Sequence, residues 1–366
     1  MAGKTIAIVL PTLGAGGTER VALRLMRSFR AAGHRVEFVL MEKKGELLSE
    51  VPDDVRIIDL GASRVRHAIG PLMRYFRESR PDAVQVRMWP LTVAAIIAHR
   101  LARSESRLVV SDHTVLRKQF ADRPMTIAAM ALTARFFYPR ADARLLVANG
   151  AADDFARLSR LPRDCFDVIY NPVDGPPADL ASTPEIEVLW GNADGRVISV
   201  GTLKREKNHA LLIRSFARLR KRRAAKLMIV GSGGLEQELK ELAASLGVAD
   251  DVLFPGFASD PWPFYASAEL FVLSSDFEGY PNVMVEAMRC GLAVVSTDCE
   301  SGPREILDGG RYGRLVPVGA EQALANAMEE ELDCPHAPDV VRKRAEELSG
   351  ASTSKRYLDL LIGSSQ

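Results

Sequence analysis

Cysteine is scarce in this sequence: four in 366 residues, at Cys165, Cys290, Cys299 and Cys334. No two form a C-x-x-C pair, which argues against a zinc knuckle or a thioredoxin-like redox site, and thiols this sparse fit a reducing compartment. Long apolar runs are also missing. The segment Met125–Tyr138 comes closest, but Arg135 interrupts it, and a spanning helix needs about 18 such residues. Lys4 followed by Thr5–Leu10 is too short for a signal-peptide core and reads as a first strand. A cytoplasmic protein is expected. Net charge is only +1, so a whole-molecule polyanion binder is not indicated and nucleic acid is not expected as a partner. There is no Walker motif. The two glycine clusters, Gly14–Gly17 and Gly231–Gly234, each miss the dinucleotide fingerprint G-x-G-x-x-G at its last position, held by Glu19 and Glu236. A nicotinamide oxidoreductase is thereby disfavoured.

What is present is ordinary globular composition, 47% hydrophobic and 26% charged. On a prior of roughly 150 residues per domain, the length suggests two or three domains. Charge is uneven: residues 1–170 hold 27 Lys and Arg against 18 Asp and Glu, and the remainder holds 21 against 29. Such asymmetry means either a first half that meets something anionic or unequal surface decoration. Short apolar runs alternate with helical patterns. Ile6–Leu10, Arg35–Met41, Ala83–Val86, Leu108–Ser111, Leu145–Ala148 and Val168–Tyr170 read as strands, with helices at Glu19–Ala32 and Leu91–Ala102. The proline-rich stretch 171–185 reads as a linker. The rhythm then restarts with strands at Arg196–Val200, Lys226–Val230, Val252–Phe254, Leu270–Leu273 and Leu292–Thr297. Helices are expected at Asn208–Lys221, Leu235–Leu246 and Val283–Cys290. This predicts two doubly wound α/β domains, 1–170 and 186–352, with a last helix, about 353–366, that packs back on the first.

Three motifs carry chemistry. In Leu13-Gly14-Ala15-Gly16-Gly17-Thr18-Glu19-Arg20, glycines let backbone approach a ligand, and the following helix aims free N–H groups into the loop. In Gly201-Thr202-Leu203-Lys204-Arg205-Glu206-Lys207-Asn208, a strand ends in a basic loop where open α/β sheets bind ligands, and its cations suit a diphosphate. In Asp276-Phe277-Glu278-Gly279-Tyr280-Pro281-Asn282-Val283-Met284-Val285-Glu286, two glutamates stand eight apart. Pro281 suits a first helical position. Taken singly, these are also a tight strand-to-helix turn, a solvated basic turn and an ordinary carboxylate pair.

In combination and in this order, the chain resembles glycosyltransferase family 4, the retaining enzymes of GT-B fold. PTLGAGGTER resembles the family's glycine-rich loop and VGTLKREKN its basic phosphate-binding loop. Glu278 to Glu286 matches its E-x7-E motif within FEGYPNVMVEAM, and CESGPREIL resembles a run in members acting in lipopolysaccharide, capsule and glycan assembly. The resemblance implies two Rossmann-like domains facing each other across a cleft. It implies a nucleotide-sugar donor, UDP-linked for preference, and transfer of a hexose or N-acetylhexosamine to a hydroxyl of a growing glycan. On the same basis Lys207 contacts the donor diphosphate and Glu278 the sugar. Backbone amides from Gly279 through Tyr280, Pro281 and Asn282 to Val283 lie near both, and Glu286 binds the ribose. Gly16, Gly17, Thr202, Lys204, Arg205 and Gly231 complete the donor contacts, and His113 matches a polar position near the sugar. Two departures stand out: Thr202 where the family usually has Arg, with Lys204 or Arg205 as substitutes for that charge, and Glu300 where Pro is expected. A sugar-nucleotide epimerase and a non-catalytic sugar-nucleotide-binding subunit are the alternatives.

Two basic segments with apolar residues, Arg64–Arg80 and Arg117–Arg140, suggest that the first domain docks on an anionic membrane as a peripheral protein and reaches a lipid-linked acceptor; the alternative is that their apolar sides are simply core. No Asp-x-Asp triplet occurs, which argues against the metal-dependent GT-A alternative. No metal or cofactor is therefore expected. Transfer should persist in EDTA; loss of turnover with recovery on adding Mn²⁺ would contradict this.

Overall fold

A computed structural model of the chain describes residues 3–14 and 16–363, with Ala351 described by its backbone alone. Ala15 of the glycine-rich loop lies outside the described residues. The chain divides into two compact units, Met1–Val173 with Gly350–Gln366, and Asp174–Ser349. The first division falls inside the proline-rich stretch. The second falls at Gly350, where the last helix begins.

The first unit holds β1 (Thr5–Leu10), β2 (Arg35–Leu40), β3 (Arg56–Asp59), β4 (Ala83–Arg87), β5 (Arg107–Asp112), β6 (Ala143–Leu146) and β7 (Asp167–Val168). They form one sheet in the order β3-β2-β1-β4-β5-β6-β7, every neighbouring pair parallel. In a parallel sheet helices cover both faces, so central strands must be apolar along their length rather than alternating. β1 obeys this: Ile6 to Leu10 are all fully buried. Helix Gly17–Ala31 buries Val21, Ala22, Leu25, Met26 and Phe29, a stripe at helical spacing that faces β1 and β2.

The closing helix, Ala351–Ile362, adds Tyr357 and Leu361 to the same core. Tyr357 Oη donates to Ile169 O at 3.3 Å, Arg107 Nε donates to Leu360 O at 2.8 Å, and Lys4 Nζ donates to Ile362 O at 3.1 Å. Helix Val65–Ser79 turns Ala68, Leu72, Tyr75 and Phe76 into the unit, and Tyr75 Oη donates to the buried Glu37 at 2.9 Å. The apolar side of the basic segment Arg64–Arg80 is thus spent on the core. This corrects the expectation that it faces a membrane.

The second unit holds β8 (Arg196–Val200), β9 (Lys226–Val230), β10 (Val252–Gly256), β11 (Leu270–Leu273), β12 (Ala293–Thr297) and β13 (Arg314–Val316), in the order β10-β9-β8-β11-β12-β13. Counted from the first strand of each unit, both sheets share the order 3-2-1-4-5-6, to which the first adds a seventh strand; this is the doubly wound order whose direction reverses beside the first strand. That reversal opens a crevice at the carboxyl ends of β1 and β4 in one unit and of β8 and β11 in the other. β3 and β13, of four and three residues, have no counterpart in the sequence reading: Arg56 and Asp59 bound β3 and Arg314 opens β13, so neither forms an apolar run like the strands that were read. β6 lies two residues before the expected Leu145–Ala148, because Ala143 and Arg144 pair with Val109 and Val110.

The structure makes residues 350–362 an integral part of the first unit. Tyr357→Ala should destabilise that unit by about 3–5 kcal/mol, the usual cost of deleting a large buried aromatic. Urea unfolding followed by probes in each unit should show the earlier transition in the first unit only.

Candidate active site

In the second unit, four loops leave the carboxyl ends of the central strands β9, β8, β11 and β12. After β8 the chain passes Gly201 and a short 3-10 turn, Arg205–Lys207. Asn208 follows in the left-handed region, φ 45° and ψ 45°, and caps helix His209–Arg220 by accepting from Leu211 N at 3.1 Å. Its Nδ2 donates to Asp276 at 2.8 Å, and Asp276 N donates to Glu206 O at 2.9 Å. Ser274 Oγ donates to Lys207 O at 2.9 Å. The basic loop and the loop after β11 are therefore stitched together before any charged group is considered.

Between them, Lys207 Nζ donates to Glu278 Oε1 at 2.6 Å, with 23% and 9% of the two side chains exposed. Ser275 Oγ donates to the same oxygen at 2.7 Å. Thr297 at the end of β12 donates to Ser275 O at 2.6 Å and so fixes the serine. His209, buried just beyond, is pushed down to about 4 by burial and then by Lys207; it is neutral near pH 7. Burial, then Glu278, pushes the Cys299 thiol up to about 12, so it carries no thiolate.

The turn 279–281 is clamped from β12. Ser301 Oγ donates to Gly279 O at 3.0 Å. Gly302 has φ +81°, and a Cβ there would lie 2.7 Å from Pro281 Cδ and 2.9 Å from Gly279 O; no side chain fits. Helix Asn282–Arg289 starts immediately after, with Pro281 as its cap rather than its first residue. This corrects the placing of Pro281 by one position. The positive end of the helix dipole faces the loop, and Met284 N donates to Pro281 O at 3.0 Å in the first turn. One turn on, Glu286 is buried, and its Oε2 accepts from Tyr265 Oη at 3.2 Å. Gly231, φ +148°, packs so closely on the β8 loop that a Cβ would meet Gly201 O at 1.9 Å.

In the first unit, Gly16 caps helix Gly17–Ala31 in an extended conformation. His113 follows β5. Its Nε2 lies 3.2 Å from Ser111 Oγ, and its buried Nδ1 has no hydrogen-bond partner among the described residues. Burial, then Arg87, holds its pKa well below the usual 6.5, so the ring is neutral. Arg87, at the end of β4, is fully buried. Its Nη1 donates to Thr18 O at 2.9 Å and its Nη2 to Gln85 Oε1 at 3.3 Å. Desolvation lowers it to about 10, still charged at neutral pH.

Two family models match the chain: Glycosyltransferase Family 4 over residues 15–175 and Glycosyl transferases group 1 over residues 187–348. It is a family 4 glycosyltransferase. The transferase is 29% identical over 342 residues, 90% of each chain, to the Campylobacter jejuni N-acetylgalactosamine-N,N'-diacetylbacillosaminyl-diphospho-undecaprenol 4-alpha-N-acetylgalactosaminyltransferase. It is 25% identical to an amylovoran biosynthesis glycosyltransferase of Erwinia amylovora over 84% of this chain and 85% of that one. Its fold is that of Anabaena HepE, solved with UDP and glucose, at TM-score 0.82 and 19% identity over 99% and 100% of the chains. Its two sheets are those of the GT-B fold.

Of the residues singled out from sequence, the structure brings together Lys207, Glu278, Gly279, Tyr280, Pro281, Asn282, Val283 and Glu286, with Gly231 pressed on the same rim. It separates the three cations of the basic loop: Lys204, Arg205 and the neighbouring Thr202 are exposed, and only Lys207 is drawn inward. Gly16, Gly17 and His113 belong to the other unit. Sequence reasoning quoted Asn208 and Asp276 at the ends of two motifs without giving them a role, and it missed Ser275, whose spacing is unremarkable, and Arg87. A charged residue ending an otherwise apolar strand was the available signal for Arg87.

The cap predicts a graded response. Asn208→Ala should cost the second unit about 1–2 kcal/mol through the lost cap, and more because Ala lacks the short polar side chain that lets Asn adopt the left-handed region. Asn208→Gly keeps that backbone conformation and should cost less. Urea midpoints of the two variants check the order.

Proposed function

We propose that the transferase moves a hexose or N-acetylhexosamine from a UDP-sugar to a hydroxyl of a growing, lipid-linked glycan, with retention of anomeric configuration. The observation that carries this reading is the Lys207–Glu278 pair, placed at the strand-order reversal under a helix N-terminus. Breaking the glycosidic bond to a diphosphate builds negative charge on the leaving group. A fixed cation at Lys207 and the positive dipole end of helix Asn282–Arg289 are preorganised to receive it. Glu278 already holds Lys207 and Ser275 on one oxygen; its other oxygen is the acceptor for donor-sugar hydroxyls, which fixes the sugar's orientation. Glu286, steadied by Tyr265, takes the ribose. His113 is kept neutral, so Nδ1 serves as a hydrogen-bonding group and not as a cation.

UDP is the nucleotide because the Anabaena relative in fold was solved with UDP-glucose as well as UDP. The lipid-linked acceptor follows the Campylobacter relative, whose name specifies a diphospho-undecaprenol-linked acceptor.

The two glutamates should fail differently. Glu278→Ala should bind free UDP nearly as well as the wild type, since UDP lacks the sugar, and should lose turnover strongly. Glu286→Ala should lose UDP affinity at least about tenfold, because hydrogen bonds to a charged acceptor are typically worth about 1.5–3 kcal/mol each. Calorimetry with UDP measures both. The opposite pattern would place the donor elsewhere.

A further inference from the structure

Helix Pro124–Phe137 buries only Met130 and Ala134 along its 14 residues. Most of an apolar helix of that length would be expected in a core. On the opposite stripe, Met125 is 85% exposed, Leu132 59% and Phe136 54%. With Ala128 and Ala129, also exposed, they recur at the i, i+3/i+4, i+7, i+11 spacing of one helix face. Three large exposed side chains aligned on one helix are not the scattered apolar residues of a normal surface.

Within the helix and just after it the charges have one sign. From Arg123 to Arg140 the chain carries Arg123, Arg135 and Arg140 and no Asp or Glu, and all three are exposed. Asp122, next to the helix start, pairs with Arg123 at 3.7 Å, and both side chains are largely exposed. Arg140 leans over the Phe137 ring, and Arg117 and Lys118 precede the helix. No helix of the described residues is long and apolar enough to cross a membrane. An exposed apolar stripe, fringed by cations and too short to span, has the makings of an interfacial helix.

We propose that the helix Pro124–Phe137 is a docking surface for an anionic lipid bilayer, lying in the plane of the interface with Met125, Leu132 and Phe136 inserted among the acyl chains. Arg123, Arg135 and Arg140 meet the headgroup phosphates. The proposal rests on the reading that the acceptor is lipid-linked, and it names the contact by which the transferase reaches that lipid. It also decides between the two basic segments: Val65–Ser79 has its apolar residues in the core, whereas Pro124–Phe137 presents them to solvent.

The test needs no sugar substrate. Full-length protein is sedimented with vesicles of phosphatidylcholine alone or mixed with phosphatidylglycerol, at low and high salt. Binding should require the anionic lipid and weaken with salt. Leu132→Ser with Phe136→Ser should weaken it by at least about tenfold, from the lost burial of two large apolar groups. Replacing Arg123, Arg135 and Arg140 by Gln should cost about fivefold per charge, from roughly 1 kcal/mol each. All five positions are exposed, so unchanged melting temperatures and UDP binding should accompany these losses. Equal recovery with neutral and anionic vesicles, or wild-type binding by the Leu132/Phe136 variant, overturns the proposal. So does sedimentation velocity showing a dimer that this variant dissolves, which would make the stripe an interface between copies. Failure of the glutamate test with intact vesicle binding would instead count against the UDP-sugar reading alone.

Discussion

The structure depends on one constraint: a parallel strand can be reached from its neighbour only by a crossover, and each sheet reverses its strand order once. In the second unit the reversal lies between β8 and β11, so the loops that follow these strands have no crossover helix between them at the carboxyl edge. Two segments about seventy residues apart in sequence are thereby set side by side. The Lys207–Glu278 pair, the Asn208–Asp276 bond and the Ser274–Lys207 bond all follow from that adjacency. The first unit repeats the arrangement, and its glycine-rich loop and Arg87 meet at the matching edge of β1 and β4.

Both edges hold charge in places where burial is costly, and each handles it differently. Lys207 and Glu278 neutralise one another at 2.6 Å, with a serine completing the carboxylate. A ligand that draws on the lysine meets a group already oriented. Arg87 is fully buried and is held by a backbone carbonyl and an amide oxygen. A buried guanidinium costs several kcal/mol unless its hydrogen bonds are made. It sits beneath the positive end of helix Gly17–Ala31, a further unfavourable neighbour, with Glu19 in the first turn as the acidic counterweight. The net effect is a fixed positive field at the glycine-rich loop and a histidine that stays neutral.

The glycines of the site act through space as much as through torsion. Gly302 and Gly231 permit one loop to lie directly on another, so the turn 279–281 and the β8 loop are held from behind by backbone. Rigid support of this kind keeps donors within the narrow tolerances that charge stabilisation needs.

Sequence by itself determined what local chemistry dictates. Lys226–Val230 and Leu91–Ala102 are legible to the residue, because an apolar strand bounded by turn residues and a helix ended by polar ones carry their limits in their composition. The repeated β-α rhythm and the E-x7-E spacing likewise need no coordinates. What tertiary structure alone decided was partnership. Three cations stand in the basic loop, and only the 3-10 turn selects Lys207. Ser275 and Arg87 acquire roles from strands that are neighbours in space. β13 exists because β12 is there to pair with it. The clearest case is the two basic apolar segments: Val65–Ser79 and Pro124–Phe137 both carry apolar residues among arginines, and pattern can say that each has an apolar side. Whether that side is covered depends on which elements the rest of the chain brings against it, and only packing supplies them.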